Sequence, residues 1–205
     1  MGKIFYILGK SSTGKDTIYK RILNDEALHL KSVVLYTTRP IRDGEIPDVT
    51  YHFVDEETFW KLKEEGKILE DREYHTVHGL WRYFTVDDET LDLENQDYLI
   101  IGVLQSYLSV RNHFGDDNVV PIYIEVDDGI RLQRALDREK KPENRKFTEM
   151  CRRFLADTDD FSEDKLLAAG IQKRFVNDDL ERCIAEIAAY IGGIRNGYES
   201  QSDHL

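Results

Sequence analysis

The feature that most constrains the fold of this chain is confined to its first 23 residues. Lys3-Ile4-Phe5-Tyr6-Ile7-Leu8 runs directly into Gly9-Lys10-Ser11-Ser12-Thr13-Gly14-Lys15-Asp16-Thr17. Ile18, Ile22 and Leu23 then follow at helical spacing. A near-continuous apolar run suits a parallel strand covered on both faces. A Gly-x-x-x-x-Gly-Lys turn between such a strand and a helix lets backbone N–H groups converge on phosphate oxygens, while Lys15 neutralises their charge. The helix that begins there adds the positive end of its dipole. Residues Gly9 to Thr17 are therefore the candidate polyphosphate loop; the bland alternative is a glycine-rich strand-to-helix turn that binds nothing. After the lysine, the motif wants a hydroxyl that holds magnesium. Here Asp16 stands in that place with Thr17 next to it, and these two are the candidate metal ligands.

At 205 residues the chain fits one domain with room for an inserted subdomain or lid. Its 40% hydrophobic and 33% charged content is that of an ordinary globule with a proper core. No apolar run approaches the roughly 18 residues of a membrane span, and a strand at the N-terminus leaves no room for a signal peptide. Cys151 and Cys183 are too few for a disulfide framework or a zinc site, which points to a reducing cytoplasm. The net charge of −12 argues against nucleic acid as a partner. It does not exclude a small polyanion, because the basic residues are unevenly placed: Lys10 and Lys15, Arg39 and Arg42, then Arg131, Arg134, Arg138, Arg145, Arg152 and Arg153.

Along the chain, residues 32–37 read as a second strand opening into the polar loop TTRPIRDGEIPD. A short strand at 51–54 precedes a helix capped by Asp55 and stopped by Gly66. Residues 68–74 and 80–86 read as two antiparallel strands. The parallel core resumes at 98–102, with a helix over 104–114, a strand over 119–126 and a helix capped at Asp127-Asp128 that runs to Arg138. The charged segment 139–147 reads as mobile. A helix over 148–161, a strand at 174–176 and an amphipathic helix through Ile191 complete the domain, and the tail reads as disordered. Strand and helix alternation gives an α/β three-layer architecture, with ligand expected at the carboxyl ends of the parallel strands.

Thr38-Arg39-Pro40-Ile41-Arg42-Asp43-Gly44-Glu45 sets two arginines around a stiff proline dipeptide, a double fork suited to a phosphate monoester. Tyr51 and Glu70, from the same subdomain, add a phenol donor and a carboxylate acceptor. His75 and His78 have the spacing of metal ligands but lack a third, and read as ordinary surface or base-pocket residues.

The phosphate loop, then TTRPxRxGE, YHFV, a helix ending in Glu-Gly with Leu69-Glu70 after it, and finally Val176-Asn177-Asp178-Asp179-Leu180, resembles the guanylate kinase family over residues 3–191. The resemblance implies a P-loop NTPase fold with a parallel central sheet, a small α+β acceptor-binding subdomain and a helical lid. It divides the chain into a core (1–37, 93–138 and 162–195), an acceptor-binding insertion (38–92), a lid (139–161) and a flexible tail (196–205). It further implies that Gly9 to Thr17 bind the phosphates of ATP, with magnesium as cofactor. Arg39, Arg42, Tyr51 and Glu70 would bind GMP, the first three at its phosphate and Glu70 at guanine N1 and N2. Asn177 would lie beside adenine, serve as a helix N-cap, or do both. Lys15, Arg134, Arg138 and Arg153, the last with Arg145 or Arg152, would act on the transferring phosphoryl group; the alternative for these arginines is a solvated helix face.

Three departures bear on the acceptor. The family commonly carries a serine near the start of its STTR segment, where this chain has Leu35-Tyr36-Thr37-Thr38. Acidic residues of the strand after the insertion are replaced by Leu99-Ile100-Ile101-Gly102, and Asp16 could stand in for them at magnesium. The GNYYG segment appears as Gly79-Leu80-Trp81-Arg82-Tyr83, so that Arg82 or Tyr83 takes the place of a phosphate-binding tyrosine. The leading expectation is conversion of ATP and GMP to ADP and GDP. The alternatives are a kinase of the same fold acting on another nucleotide or ribose 1,5-bisphosphate, and a non-catalytic protein-binding module. Oligomeric state stays open between monomer and homodimer.

Overall fold

The computed structural model describes residues 1–42, 44–76, 79–87, 91–140 and 146–202. His78, Arg145 and the rest of residues 141–145, near the start of the expected lid, lie outside them. Strand β1 (Ile4–Leu8) is buried on both faces and leads through the loop into α1 (Lys15–Leu23). A 3-10 turn at Glu26–Leu28 then precedes β2 (Leu30–Ser32). The single strand expected over 32–37 is divided. Its first residue closes β2 in the main sheet, and β3 (Tyr36–Thr37) belongs to a second sheet. That second sheet is completed by β4 (His52–Phe53), β5 (Ile68–Thr76) and β6 (Gly79–Val86), with α2 (Glu56–Glu64) inserted before β5. Asp55 caps α2 by accepting from Thr58 N at 2.8 Å.

The chain returns to the main sheet with β7 (Asp97–Gly102), α3 (Leu104–Phe114) and β8 (Val119–Glu125). Helix α4 (Asp128–Glu139) is capped by Asp127, whose Oδ1 accepts from Gly129 N and Ile130 N. It is followed by α5 (Phe147–Asp160), the short α6 (Glu163–Ala168) and β9 (Arg174–Val176). Helix α7 (Leu180–Ser202) continues beyond residue 195, where the sequence pattern led us to expect a flexible tail.

The main sheet has the order β2-β7-β1-β8-β9 and is parallel throughout. Alternation along β1 explains its depth. Ile4, Tyr6 and Leu8 enter a cluster with Leu104, Tyr107, Val110 and Leu166, while Phe5 and Ile7 meet Ile18, Ile22, Cys183 and Ile187 on the opposite face. Full burial of such side chains contributes roughly 1.5–3 kcal/mol each, which holds the phosphate loop on a strand buried along its whole length. The second sheet, ordered β4-β3-β6-β5, has a smaller core of Phe59, Phe84 and Val86 beneath α2.

Candidate active site

The loop after β1 needs its glycines. Gly14 sits at φ +87°, and a Cβ on it would fall 2.6 Å from Asn177 Nδ2. At Gly9 a Cβ would meet the Ile124 carbonyl oxygen at 2.6 Å. The buried Thr13 ties the loop together: its Oγ1 donates to the Lys10 carbonyl (2.9 Å), and its own carbonyl accepts from Asn177 Nδ2 (2.7 Å). Ser12 adopts φ +64°, and its hydroxyl is buried with no hydrogen-bond partner among the described residues. An unpaired hydroxyl at the start of a helix suits an incoming anion. Lys15 opens α1 and forms no ion pair among the described residues.

Asn177, just after β9, is 3% exposed and braces this loop. Its amide donates to the Glu125 carbonyl (2.9 Å), its carbonyl accepts from Arg134 Nη2 (3.2 Å), and its Oδ1 is buried without a partner. It is not the cap of α7. Asp179 fills that role, its Oδ1 accepting from Arg182 N at 2.9 Å.

One loop amide already carries an anion. Ser11 N donates to Asp157 Oδ2 of α5 at 2.7 Å. The fully buried Arg131 donates from Nη2 to the same oxygen (2.9 Å), from Nε to the Ser11 carbonyl (2.9 Å) and from Nη1 to Asp128. Lys10 Nζ lies 3.4 Å from Asp128 Oδ1. A cavity of about 360 Å³ opens beside this network, lined among others by Lys10, Thr13, Ile124, Asp127 and Arg131.

The second sheet builds a separate pocket. Pairing of β5 with β6 sets Glu70 opposite Thr85 and Arg72 opposite Tyr83, and two-residue alternation puts all four on one face. At one end Arg39, 3% exposed, donates from Nε to Tyr83 Oη (2.8 Å). It grips Glu45 through Nη1 (2.7 Å) and Nη2 (2.5 Å). Its guanidinium lies 5.1 Å from the Tyr51 ring, and Tyr51 meets Tyr83 edge-on. The hydrogen bond from Arg39 pulls the Glu45 carboxyl down to about 2. Burial pushes the Tyr51 phenol up.

Tyr83, not Arg82, thus faces the arginine grip. Arg82 points to the other side of the sheet, bonded to Glu56 (3.0 Å) and Glu73 against the Phe59 and Trp60 rings. The expected double fork also takes an altered form. Arg42 is exposed, its guanidinium over Trp81, and it meets Glu45 only through its backbone N–H (2.8 Å).

At the other end of the pocket, the buried Glu70 accepts from Thr85 Oγ1 at Oε1 (2.9 Å) and from Ser106 Oγ at Oε2 (2.9 Å). Arg72 Nε lies 3.2 Å from Glu70 Oε2 without the alignment of a hydrogen bond. Burial, then the charge of Glu70, push the Tyr6 phenol up, while Ser106 hydrogen-bonds it.

The arginines expected to act on the phosphoryl group are divided. Arg134 reaches the Asn177 carbonyl, whereas Arg138, one turn further along α4, is exposed. Arg153 is exposed and donates to Glu149 Oε1 (2.8 Å), which Arg152 also grips. With Arg152 the stronger partner, Glu149 is drawn down to about 2. Arg153 stands one turn before Asp157, on the side of α5 that reaches the loop.

Asp16 is exposed in the first turn of α1 and has no partner among the described residues. No group of three potential metal-ligating residues occurs among the described residues. An oxygen donor pair of this kind fits magnesium, which binds through one or two carboxylates and completes its shell with phosphate oxygens and water. His75 is exposed on β5.

Sequence patterns passed over several residues of these two sites. Asp128 and Arg131 have helical i, i+3 spacing, and Arg72 stands at strand i, i+2 spacing from the already named Glu70, so both carried a local signal. Glu45 sat inside a recognised motif without a role. The contact of Asp157 with Ser11 spans 146 residues and left no local trace.

A parallel sheet with a glycine-braced phosphate loop at its central strand, and an inserted sheet carrying a second arginine grip, define a P-loop NTPase fold of the phosphotransferase type. The model of the guanylate kinase family ("Guanylate kinase") matches residues 1–192, and the chain belongs to this family. It is 27% identical over 202 residues to a guanylate kinase of Paraburkholderia xenovorans, covering 98% of this chain and 84% of the relative. With a guanylate kinase of Nitratidesulfovibrio vulgaris it shares 32% over 197 residues, covering 93% and 86%. The crystal structure of guanylate kinase from Anaplasma phagocytophilum shares the fold, with a TM-score of 0.63 at 21% identity and coverage of 94% and 85%.

Proposed function

We propose that this chain transfers the terminal phosphoryl group of ATP to GMP, giving ADP and GDP. The observation that carries the reading is the pocket on the second sheet. It has an arginine–tyrosine grip at one end and, at the other, a buried carboxylate held by Thr85 and Ser106. A carboxylate fixed in this way accepts the two donors of the guanine edge, N1–H and the N2 amine. Arg39 and Tyr83, with Tyr51 and Arg42, take the acceptor phosphate, which means that Arg39 must exchange Glu45 for it.

Phosphoryl transfer is mostly alignment and positive charge. Lys15, the amides of Ser11 to Asp16 and the dipole of α1 hold the ATP phosphates. Arg134, Arg138 and Arg153 supply charge from α4 and α5, and closure of that region keeps water from competing as acceptor. The free Oδ1 of Asn177 suits the adenine amine. Magnesium would be held by Asp16 with Thr17, where it would neutralise charge on the donor phosphates.

An ADP-release assay with ATP and magnesium over GMP, dGMP, AMP, UMP and ribose 1,5-bisphosphate tests the reading. GMP or dGMP should give the highest kcat/KM. Preference for another acceptor, or turnover of none, overturns it.

A further inference from the structure

Arg72 has no part in the reading above, yet it stands on the acceptor-site face of β5, two residues from Glu70. Its side chain is only 18% exposed, it stands opposite Tyr83 of the phosphate grip in the strand register, and its Nε lies 3.2 Å from Glu70 Oε2. Its Nε is buried and lacks an aligned hydrogen bond, and its other donors have none among the described residues. A guanidinium with a buried, unpaired N–H beside a carboxylate calls for an acceptor. Burial opposes its charge, while Glu70, Tyr74, Tyr6 and Tyr51 more than offset that effect, so the donor stays cationic.

The guanine edge presents one acceptor, O6, beside the N1–H and N2 amine donors. Glu70 accepts only, and therefore leaves O6 unread. We propose that Arg72 is the second base-reading residue: it yields Glu70 Oε2 to guanine N1–H and donates to O6. This inference rests on GMP being the acceptor and adds the rule by which the site chooses it. Adenine would set its N6 amine against the Arg72 donors and its N1 lone pair against the Glu70 carboxylate, so it is rejected twice. A site built to hydrogen-bond a substrate group rejects analogues lacking it because its own buried polar groups are left unpaired.

The test uses 6-thio-GMP, which keeps N1–H and the N2 amine but replaces O6 with a weakly accepting sulfur. For the wild-type chain, kcat/KM for GMP should exceed that for 6-thio-GMP by about tenfold or more. In Arg72→Met, GMP should fall about 30-fold and the ratio should collapse to within about threefold, while the preference for GMP over IMP, which Glu70 reads through N2, persists. Arg72→Lys keeps the charge without the planar fork and should fall between the two. Unchanged ATP affinity by calorimetry establishes that each variant is folded. If GMP and 6-thio-GMP fall together, Arg72 serves the phosphate or the placement of Glu70, and the inference is wrong. It is equally wrong if neither falls. A wild-type chain that turns over another acceptor but not GMP overturns the underlying reading instead, and this refinement with it.

Discussion

The two phosphate grips are built from different material. Around the donor loop, the ligands are backbone amides, fixed by glycines and by the side chains of Thr13 and Asn177 behind them. In the acceptor pocket they are side chains, drawn from a loop and two strands of the second-sheet region and from the first turn of α3. A main-chain site depends on conformation and tolerates changes in the side chains it does not use. A side-chain site changes its ligand whenever one residue changes. Of the departures from the family pattern, those at Leu35-Tyr36 and the Trp81-Arg82-Tyr83 segment fall at the side-chain site, while the loop keeps its glycines and lysine and differs at Asp16, just after the lysine.

The comparison can be pressed hardest at Lys15. Lys15→Met should lower kcat by about 10³-fold, the scale found when a preorganised charge on a transition state is removed, with little change in GMP binding by calorimetry. Next, Arg39→Ala should raise the KM for GMP by about 100-fold and leave ATP affinity alone. An equal loss for both nucleotides would show that the two grips are not separate. Gly14→Ala, forced to hold φ +87° against Asn177, should cost about 1–3 kcal/mol in a denaturant titration and weaken ATP before GMP.

Glu45→Gln gives a pH signature on the acceptor side only. The Glu45 carboxyl is depressed from 4.5 to about 2 in the folded chain. Its contribution is therefore complete above pH 4.5 and lost as pH falls toward 2. The melting-temperature gap between wild type and Glu45→Gln should shrink over that window; a constant gap would sink the assignment. The smallest effect is expected at Asp157→Asn. It removes negative charge beside the loop while keeping an acceptor for Ser11 N, and should tighten ATP binding by about two- to fivefold in calorimetry.

The same contrast explains what could be read in advance. Strand, loop and helix at residues 4–23 are contiguous, so one stretch of sequence specifies the donor half. Helices with sharp ends were also legible, because Asp55 and Asp127 cap from within their own segments. The strand expected over 32–37 was misread because its β-forming residues serve two sheets, and nothing local marks where one ends. Whether Arg82 or Tyr83 faces the pocket depends on the pairing of β6 with β5, which a one-residue slip would invert. Of the two alternatives for Asn177, the cap is excluded because Asp179 lies closer to the helix start, and Asn177 instead bonds Thr13 from another part of the chain.

The Asp157 carboxylate on the Ser11 amide has a consequence for any measured affinity of the loop. It is a tethered competitor, an anion held at high effective concentration on a site made for anions. Where ATP takes that amide, occupancy is an exchange, and the observed dissociation constant is the intrinsic one weakened by the strength of the contact displaced. What ATP displaces is an anchor of α5, so nucleotide affinity and the freedom of that helix are two readings of one equilibrium. Anything that restrains α5 should appear as a change in ATP binding without touching a single loop residue.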